Sequence, residues 1–134
     1  MSDYNRRDYV LYRLSKADEA LQASTILMAS EQWNASVNRL YYACFYAVTA
    51  LLVDDEILTK SHSGVKTQFF LNYIKTDIID RSLGKLYSDL FDWRQKGDYG
   101  DFFDFEGEAV EPLYPEVERL ILDIKQIISS QKEN

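Results

Sequence analysis

The segment from residue 35 to residue 54 is apolar around most of a helical circumference, and this constrains the fold more than any other feature. Its apolar residues recur at spacings of three and four, the period of an α-helix. One stripe comprises Val37, Leu40, Tyr41, Cys44, Val48, Leu51 and Leu52, and a second surface beside it comprises Tyr42, Phe45 and Tyr46. A helix that is apolar on several sides must be covered on several sides. We therefore expect it at the centre of a bundle or in a subunit interface.

The same spacing predicts further helices on both sides of this segment. We expect helix one over about residues 7–31 and helix two over about residues 35–54, with Asn34 as the N-cap of helix two. Helix three follows the acidic break after helix two, and either Ser61 or Ser63 caps it.

The second half of the chain predicts two more helices, separated by an acidic loop. Helix four spans about residues 80–96, and Gly97 is placed to end it as a C′ glycine. After the loop over residues 98–107, the start of helix five is left open. Pro115 either begins that helix or kinks its first turns, and Pro112 lies close by. The expected fold class is all-α, an antiparallel bundle of four to five helices.

The chain length and the single cysteine and histidine restrict the kinds of protein this can be. A length of 134 residues fits one domain, expected to span residues 1–134 with a core over about residues 7–130. One cysteine, Cys44, excludes an intrachain disulfide and a cysteine-based zinc site. One histidine, His62, excludes a multi-histidine metal site within one chain. We therefore expect no metal and no cofactor.

Hydropathy and the N-terminal residues bear on location. The longest apolar run, Leu40–Val53, has 14 residues including Thr49. A membrane span needs about 20 residues. Residues 1–7 are not followed by the apolar segment of a secretory signal. We therefore expect a cytoplasmic protein without a membrane partner.

The net charge of −7 comes entirely from the C-terminal part of the sequence. Residues 1–97 carry 12 acidic and 12 basic side chains, whereas residues 98–134 carry 10 acidic and 3 basic ones. An acidic chain is a poor non-specific ligand for nucleic acids, so we expect no DNA binding and place any RNA contact within the neutral part. The carboxylates between residues 101 and 111 match no EF-hand spacing, and we interpret them as a solvated acidic face.

Arg94 is the most informative single residue, because it occupies an apolar position of helix four. It follows Leu90 by four residues on the apolar stripe that begins at Leu83. A guanidinium at such a position needs a partner. In a structural interpretation, Arg94 interacts with the carbonyls at the helix end and with Asp98. In the other interpretation, Arg94 faces a cleft and binds an anion such as phosphate. The two interpretations are compatible.

Three further residues have simpler interpretations. His62 lies at the start of helix three, where the helix dipole disfavours its charged form, and we interpret it as a capping or surface residue. Arg39 has Tyr42 and Tyr46 at three and seven residues, so we expect a cation among aromatic rings. Cys44 lies within the apolar stripe and is expected to be an inert buried thiol.

Three short motifs together resemble the HEPN superfamily. They are Arg39-Leu40-Tyr41-Tyr42-Ala43, Ser61-His62-Ser63-Gly64-Val65 and Arg94-Gln95-Lys96-Gly97-Asp98-Tyr99, in the order that the family has them. The last motif is similar to the Arg-x-x-x-Asp-Tyr signature of short stand-alone HEPN proteins. The resemblance covers about residues 10–128.

The resemblance implies a bundle of four or five helices and a symmetric homodimer. Active HEPN proteins are metal-independent endoribonucleases whose motif, an Arg followed after four to six residues by a His, lies in the dimer cleft. Many are toxins or defence effectors encoded beside a minimal nucleotidyltransferase that restrains them. Matched by spacing, Arg94 falls on the family's arginine, and Tyr99 falls where the catalytic histidine would be.

Three functional hypotheses follow from the residues and the resemblance together. The first is a dimeric HEPN module of a toxin–antitoxin or defence pair, which binds a nucleotide, RNA or a nucleotidyltransferase through a cleft of Arg94, Asp98 and Tyr99. The second is a metal-independent endoribonuclease that uses the same residues, with Tyr99 in place of histidine. A tyrosine with a pKa near 10 is a poor base at neutral pH, which weighs against this second hypothesis. The third is a structural interaction domain with a buried Arg94–Asp98 pair. The expected dimer interface is the aromatic face of helix two with the end of helix four.

Overall fold

The apolar stripes of the sequence fold into helices that pack around one central helix. The structure, a computed structural model, describes residues 3–99 and 103–132, and the side chains over residues 5–96 and 103–131. Its elements are α1 (Asp3–Ala29), α2 (Trp33–Asp54), α3 (His62–Phe69), a π-helical segment (Phe70–Ile74), α4 (Arg81–Tyr99), α5 (Gly107–Val110) and α6 (Leu113–Lys132). The predicted all-α bundle is confirmed.

The central helix is α2, as its apolar circumference predicts. It contacts α1, α3, α4, α5 and α6. The whole predicted stripe from Val37 to Leu52 is buried, including the Cys44 thiol, whose pKa is raised by burial. The second surface behaves differently, because Tyr42, Phe45 and Tyr46 are only partly buried in this single chain. We call these three residues the aromatic face of α2.

Two glutamates end the first two helices in the left-handed conformation. Glu31 has a φ of 56°, the amide of Gln32 donates to the Leu27 carbonyl, and the amide of Glu31 donates to the Met28 carbonyl. This is a Schellman motif, and it ends α1 at Ala29, two residues before the predicted end. Glu56, with a φ of 59°, ends α2 through the equivalent bonds. A left-handed conformation at a non-glycine residue costs about 1–2 kcal/mol.

The prediction that Asn34 caps α2 is wrong. The helix begins two residues earlier than predicted, at Trp33, with Gln32 in the cap position. The Asn34 side chain instead holds the segment before α5: its Nδ2 donates to the Phe103 carbonyl at 3.0 Å, and its Oδ1 accepts from the Phe105 amide at 2.8 Å. A tertiary contact therefore uses the Oδ1 acceptor that a local cap would have used.

The end of α4 differs from the sequence prediction, and the start of α6 differs from the alternative in which Pro115 begins that helix. Helix α4 continues through Gly97 to Tyr99, so the prediction that Gly97 ends the helix is wrong. Glycine accepts helical dihedral angles at a cost of about 1 kcal/mol, and a glycine alone does not force a helix to end. Helix α6 begins at Leu113, which places Pro115 in the first turn, where the missing N–H has no intrahelical acceptor to lose.

The N-terminus of α3 is capped by one of the two serines that the sequence predicts for this role. The Ser61 hydroxyl accepts a hydrogen bond from the Gly64 amide at 2.9 Å, so Ser61 rather than Ser63 is the N-cap. This cap fixes where α3 begins and therefore where His62, the first residue of the helix, is placed. In the described part of the chain, no helix is both long and apolar enough to cross a membrane.

Candidate anion-binding site

The guanidinium of Arg94 lies against two tyrosine rings of α2. Its Cζ is 4.8 Å from the centre of the Tyr41 ring and 5.8 Å from the centre of the Tyr42 ring. The apolar stripe of α4 packs onto α2 and brings Arg94 to this position. Ring faces attract cations, which offsets part of the cost of partly burying the charge.

The hydrogen bonds of Arg94 leave its positive charge without a counter-ion among the described side chains. Its Nη1 donates to the Tyr42 hydroxyl at 3.1 Å. Its Nε is buried and has no hydrogen-bond acceptor in the described part of the protein. No described carboxylate lies within ion-pair distance of the guanidinium. The edge formed by Nε and Nη2 is therefore not used by any described residue.

The other two predicted site residues are described only by their backbone. Asp98 and Tyr99 belong to the last turn of α4, four and five residues after Arg94. Their side chains lie outside the described residues. The predicted pairing of Arg94 with Asp98 and the predicted role of Tyr99 therefore stay predictions.

Two further arginines lie on the aromatic face of α2. The Cζ of Arg39 is 5.1 Å from the centre of the Tyr42 ring, and its described hydrogen bonds go to the amide oxygen of Asn38. The Cζ of Arg13 is 5.6 Å from the centre of the Tyr46 ring. The predicted contact of Arg39 with the Tyr42 ring is confirmed. With Arg94, these residues make a basic and aromatic surface on an otherwise acidic protein.

His62 reaches the same cluster of rings from α3. Its ring stacks on Phe45 with centroids 4.3 Å apart and an interplanar angle of 14°, and its Nδ1 is 2.8 Å from the Tyr41 hydroxyl. Ser61 forms the cap, so His62 does not have the capping role considered for it. Arg94 and His62 therefore contact the same tyrosine, although they come from different helices.

The site determines the charge state of its titratable groups. Burial, together with the nearby charge of Arg94, lowers the pKa of His62 below its usual value of 6.5. Burial raises the pKa of Tyr41 to about 12. At neutral pH the imidazole is therefore neutral and the phenol is protonated. Whichever of the two donates the shared hydrogen bond, Nε2 of His62 is left to donate or accept one proton.

Sequence reasoning could place Arg94 but not His62. The stripe of α4 identifies Arg94 because a charge replaces an expected apolar residue. The residues around His62 predict the start of α3. They do not indicate how far His62 lies from α4. That distance depends on how α3 and α4 pack against α2.

Comparison with known proteins identifies the family. The family model described as HEPN domain matches residues 10–132, which is most of the chain. The chain belongs to the HEPN family. Its order of motifs and its all-helical fold agree with this assignment.

Three relatives each match three quarters or more of this chain. A "UPF0332 protein" of Thermotoga maritima is 35% identical over 130 residues, covering 91% of this chain and 98% of the relative. Two Methanocaldococcus jannaschii proteins bear the names "Putative toxin MJ0142" and "Putative toxin MJ0605". The first is 38% identical over 75% of this chain and 68% of the relative, and the second is 30% identical over 91% and 90%. This chain is therefore similar, over two thirds or more of their length, to two proteins whose names read "Putative toxin".

Proposed function

We propose that this protein is the toxin-type HEPN subunit of a toxin–antitoxin pair and that Arg94 binds a phosphate of RNA or of a nucleotide. The observation that carries the proposal is the guanidinium of Arg94, which is partly buried on the Tyr41 and Tyr42 rings without a carboxylate partner among the described side chains. The names of the two archaeal relatives support the toxin role.

The chemistry of the surrounding surface suits a single-stranded nucleic acid. Guanidinium groups bind phosphate through paired N–H donors. Here Arg13, Arg39 and Arg94 lie beside Tyr42 and Tyr46 on one surface. This surface belongs to the electrically neutral part of the chain, where RNA binding is least opposed by the acidic C-terminal part.

In the proposal, Asp98 and Tyr99 complete the cleft. They occupy the turn after Arg94, and two copies of the chain related by a twofold axis would line one groove with both sets of residues. The partner that restrains the toxin is a minimal nucleotidyltransferase, as the family resemblance implies. A gene for such an enzyme next to this one would support that partner, and purification of the two proteins as one complex would test it.

The test is a binding measurement with a labelled ten-nucleotide RNA and with adenosine monophosphate as competitor. Arg94→Ala should weaken RNA binding at least tenfold, and Arg94→Lys should restore only part of it because lysine lacks the fork of donors. The matched control is Arg119→Ala, which removes the same charge from the exposed face of α6. Equal losses in Arg94→Ala and Arg119→Ala would show that only net charge matters and would contradict the proposal.

An endoribonuclease is a second candidate function, and the position of His62 favours it. RNA cleavage without a metal needs a proton acceptor for the 2′-hydroxyl, a proton donor for the leaving oxygen and a positive charge for the phosphorane. A neutral His62 can accept or donate one proton near neutral pH. Tyr99 alone is a poor base under the same conditions. Incubation with RNA in excess chelator should then give cleavage that His62→Gln and Arg94→Ala both abolish. Cleavage that persists in either variant would contradict this candidate.

A purely structural role for Arg94 is the third candidate, favoured by its contact with two rings. In that case Arg94→Ala should lower the urea midpoint of unfolding and leave RNA affinity and toxicity unchanged. Arg94→Met separates the two roles, because it keeps much of the packing and removes the charge. Retained RNA binding in Arg94→Met would establish the structural role alone.

A further inference from the structure

A groove of about 1080 Å³ runs between the α3–π segment and α4. One wall comes from residues 63–75 and the other from residues 81–91, and none of the lining residues is Arg94, Tyr41 or Tyr42. The two walls approach each other closely at Gly84. A Cβ at this position would lie 3.0 Å from Ile74 Cγ2, so a larger residue would push the Ile74 side chain by a few tenths of an ångström.

The groove is apolar along its length. Phe70, Leu71, Ile74 and Phe91 line it, and Leu71 is 50% exposed. Two of these residues, Phe70 and Leu71, lie in the first turn of the π segment. The wider π turn interrupts the α-helical register, and such turns are frequent at functional sites. An apolar surface of this kind on an exposed groove calls for a covering group.

The rim of the groove is basic. The cations that line it are Lys66, Lys75, Arg81 and Lys85, and Asp89 is the carboxylate among the lining residues. Lys66 lies over the Phe91 ring, 4.7 Å from its centre, and neither Lys66 nor Lys75 has a carboxylate partner among the described side chains. The rim is thus a positive region on a protein of net charge −7.

The two rim cations that do form ion pairs are held weakly. Arg81 pairs with Asp77 at 3.5 Å and Lys85 pairs with Asp89 at 2.7 Å, and the side chains of Arg81 and Lys85 are more than three-quarters exposed. Exposed pairs of this kind contribute about 0–1 kcal/mol, so a partner's carboxylates can replace them at little cost.

We propose that this groove is the docking site for an acidic amphipathic helix of a partner protein. An apolar stripe at spacings of three, four and seven residues would lie on Phe70, Leu71 and Phe91, as in other helix-in-groove complexes. Glutamates or aspartates on both flanks of that helix would meet Lys66, Lys75, Arg81 and Lys85. Charge complementarity selects this occupant, because a basic or neutral helix would bury the same apolar area without compensating the rim.

Two other occupants fit less well and are separate outcomes of the test. RNA would find phosphate contacts on the rim and the rings of Phe70 and Phe91, but Lys66 already lies over the Phe91 ring. The aliphatic side chains of Leu71 and Ile74 offer no stacking face. A second copy could offer its acidic segment around residues 103–111, but Asn34 and Trp33 of the same chain already hold that segment. The inference goes beyond the proposed function, and the substitutions that test it leave Arg94 intact.

The experiment selects helical peptides on the intact protein. A displayed library of amphipathic 16-residue helices with random flanking charges is enriched on the wild-type protein, and the affinity of the best peptide is measured by fluorescence anisotropy. We expect acidic flanks in the enriched peptides. Leu71→Glu and the double variant Lys66→Glu/Lys85→Glu should each weaken binding at least tenfold. The matched control is Leu122→Glu, which changes a similarly exposed leucine on α6 outside the groove.

Several results would overturn the proposal. They are an absence of enrichment, enrichment of basic or neutral flanks, and equal affinity for wild-type protein and Leu71→Glu. Loss of binding of a ten-nucleotide RNA in Lys66→Glu/Lys85→Glu without any enriched peptide would assign the groove to RNA. A change of sedimentation from dimer to monomer in Leu71→Glu would assign it to a second copy. The urea midpoint of unfolding checks that each variant folds. RNA binding at Arg94 is measured in parallel, so that a failure of the groove proposal can be distinguished from a failure of the proposal for Arg94.

Discussion

The guanidinium of Arg94 lies over the ring of Tyr41, with Cζ 4.8 Å from the ring centre. The hydroxyl of the same tyrosine lies 2.8 Å from His62 Nδ1. One buried phenol therefore links the cation that the sequence identifies to the only imidazole of the chain. This arrangement explains why Arg94 contributes to the lowered pKa of His62.

The hydroxyl of Tyr42 should orient Arg94 for binding. Tyr42→Phe removes the acceptor of the Nη1 hydrogen bond and keeps the ring beneath the guanidinium. A hydrogen bond to a charged group contributes about 1.5–3 kcal/mol, so RNA affinity should fall about tenfold or more. Tyr46→Phe is the matched control on the same face of α2. Anisotropy titrations with the labelled RNA measure both, and an unchanged affinity in Tyr42→Phe would show that this bond does not position the arginine.

The stability of the protein should depend on pH through His62. Its folded-state pKa lies below its unfolded value of 6.5, so the unfolded state binds the proton first as the pH falls. The stabilisation from the neutral imidazole is therefore complete above pH 6.5 and declines as the pH falls through and below that value. Urea unfolding between pH 8 and pH 5 measures this dependence.

The control for the pH dependence is His62→Gln. Carboxylates also titrate toward pH 5, but they do so in both proteins, so the difference between wild type and His62→Gln isolates the imidazole. The wild type should lose more stability than the variant between pH 7 and pH 5.5. Parallel curves for the two proteins would show that the fold does not favour the neutral imidazole.

The aromatic face of α2 should form a dimer interface with the end of α4. Its three residues are only partly buried in one chain, and apolar faces of this kind are covered in oligomers. Sedimentation at micromolar concentration should show a dimer, and Phe45→Glu should convert it to a monomer. The exposed Ile26 of α1 provides the control Ile26→Glu, which should stay dimeric. A wild-type monomer at this concentration would contradict the predicted interface.

A glycine at the C-terminal end of α1 should stabilise the protein. Glu31 has a φ of 56°, which glycine adopts without steric cost, so Glu31→Gly should stabilise the protein by about 1 kcal/mol. Glu31→Ala keeps a Cβ in the left-handed conformation and should give no comparable gain. Urea unfolding of both variants tests this, and equal effects of glycine and alanine would show that backbone strain at this position is negligible.

The helices were predictable because their signal is local and repeated. Apolar residues spaced three and four positions apart identify α2 and α4. Of the two predicted caps of α3, Ser61 and Ser63, Ser61 is the one that forms. The errors lie at single positions where a local rule permits a structure but does not require it. Asn34 would suit a cap, yet it holds Phe103 and Phe105, and Gly97 would suit a helix end, yet α4 continues to Tyr99.

By itself, the sequence determined that the chain is an all-helical bundle around α2 and that Arg94 is out of place on an apolar stripe. Both follow from periodicity, which depends on residues within one helix. Only the tertiary structure decided that His62 lies beside the same tyrosine as Arg94 and that a basic rim surrounds an apolar groove. Those relationships join side chains from separate helices, and their distances depend on how the helices pack rather than on spacing along the chain.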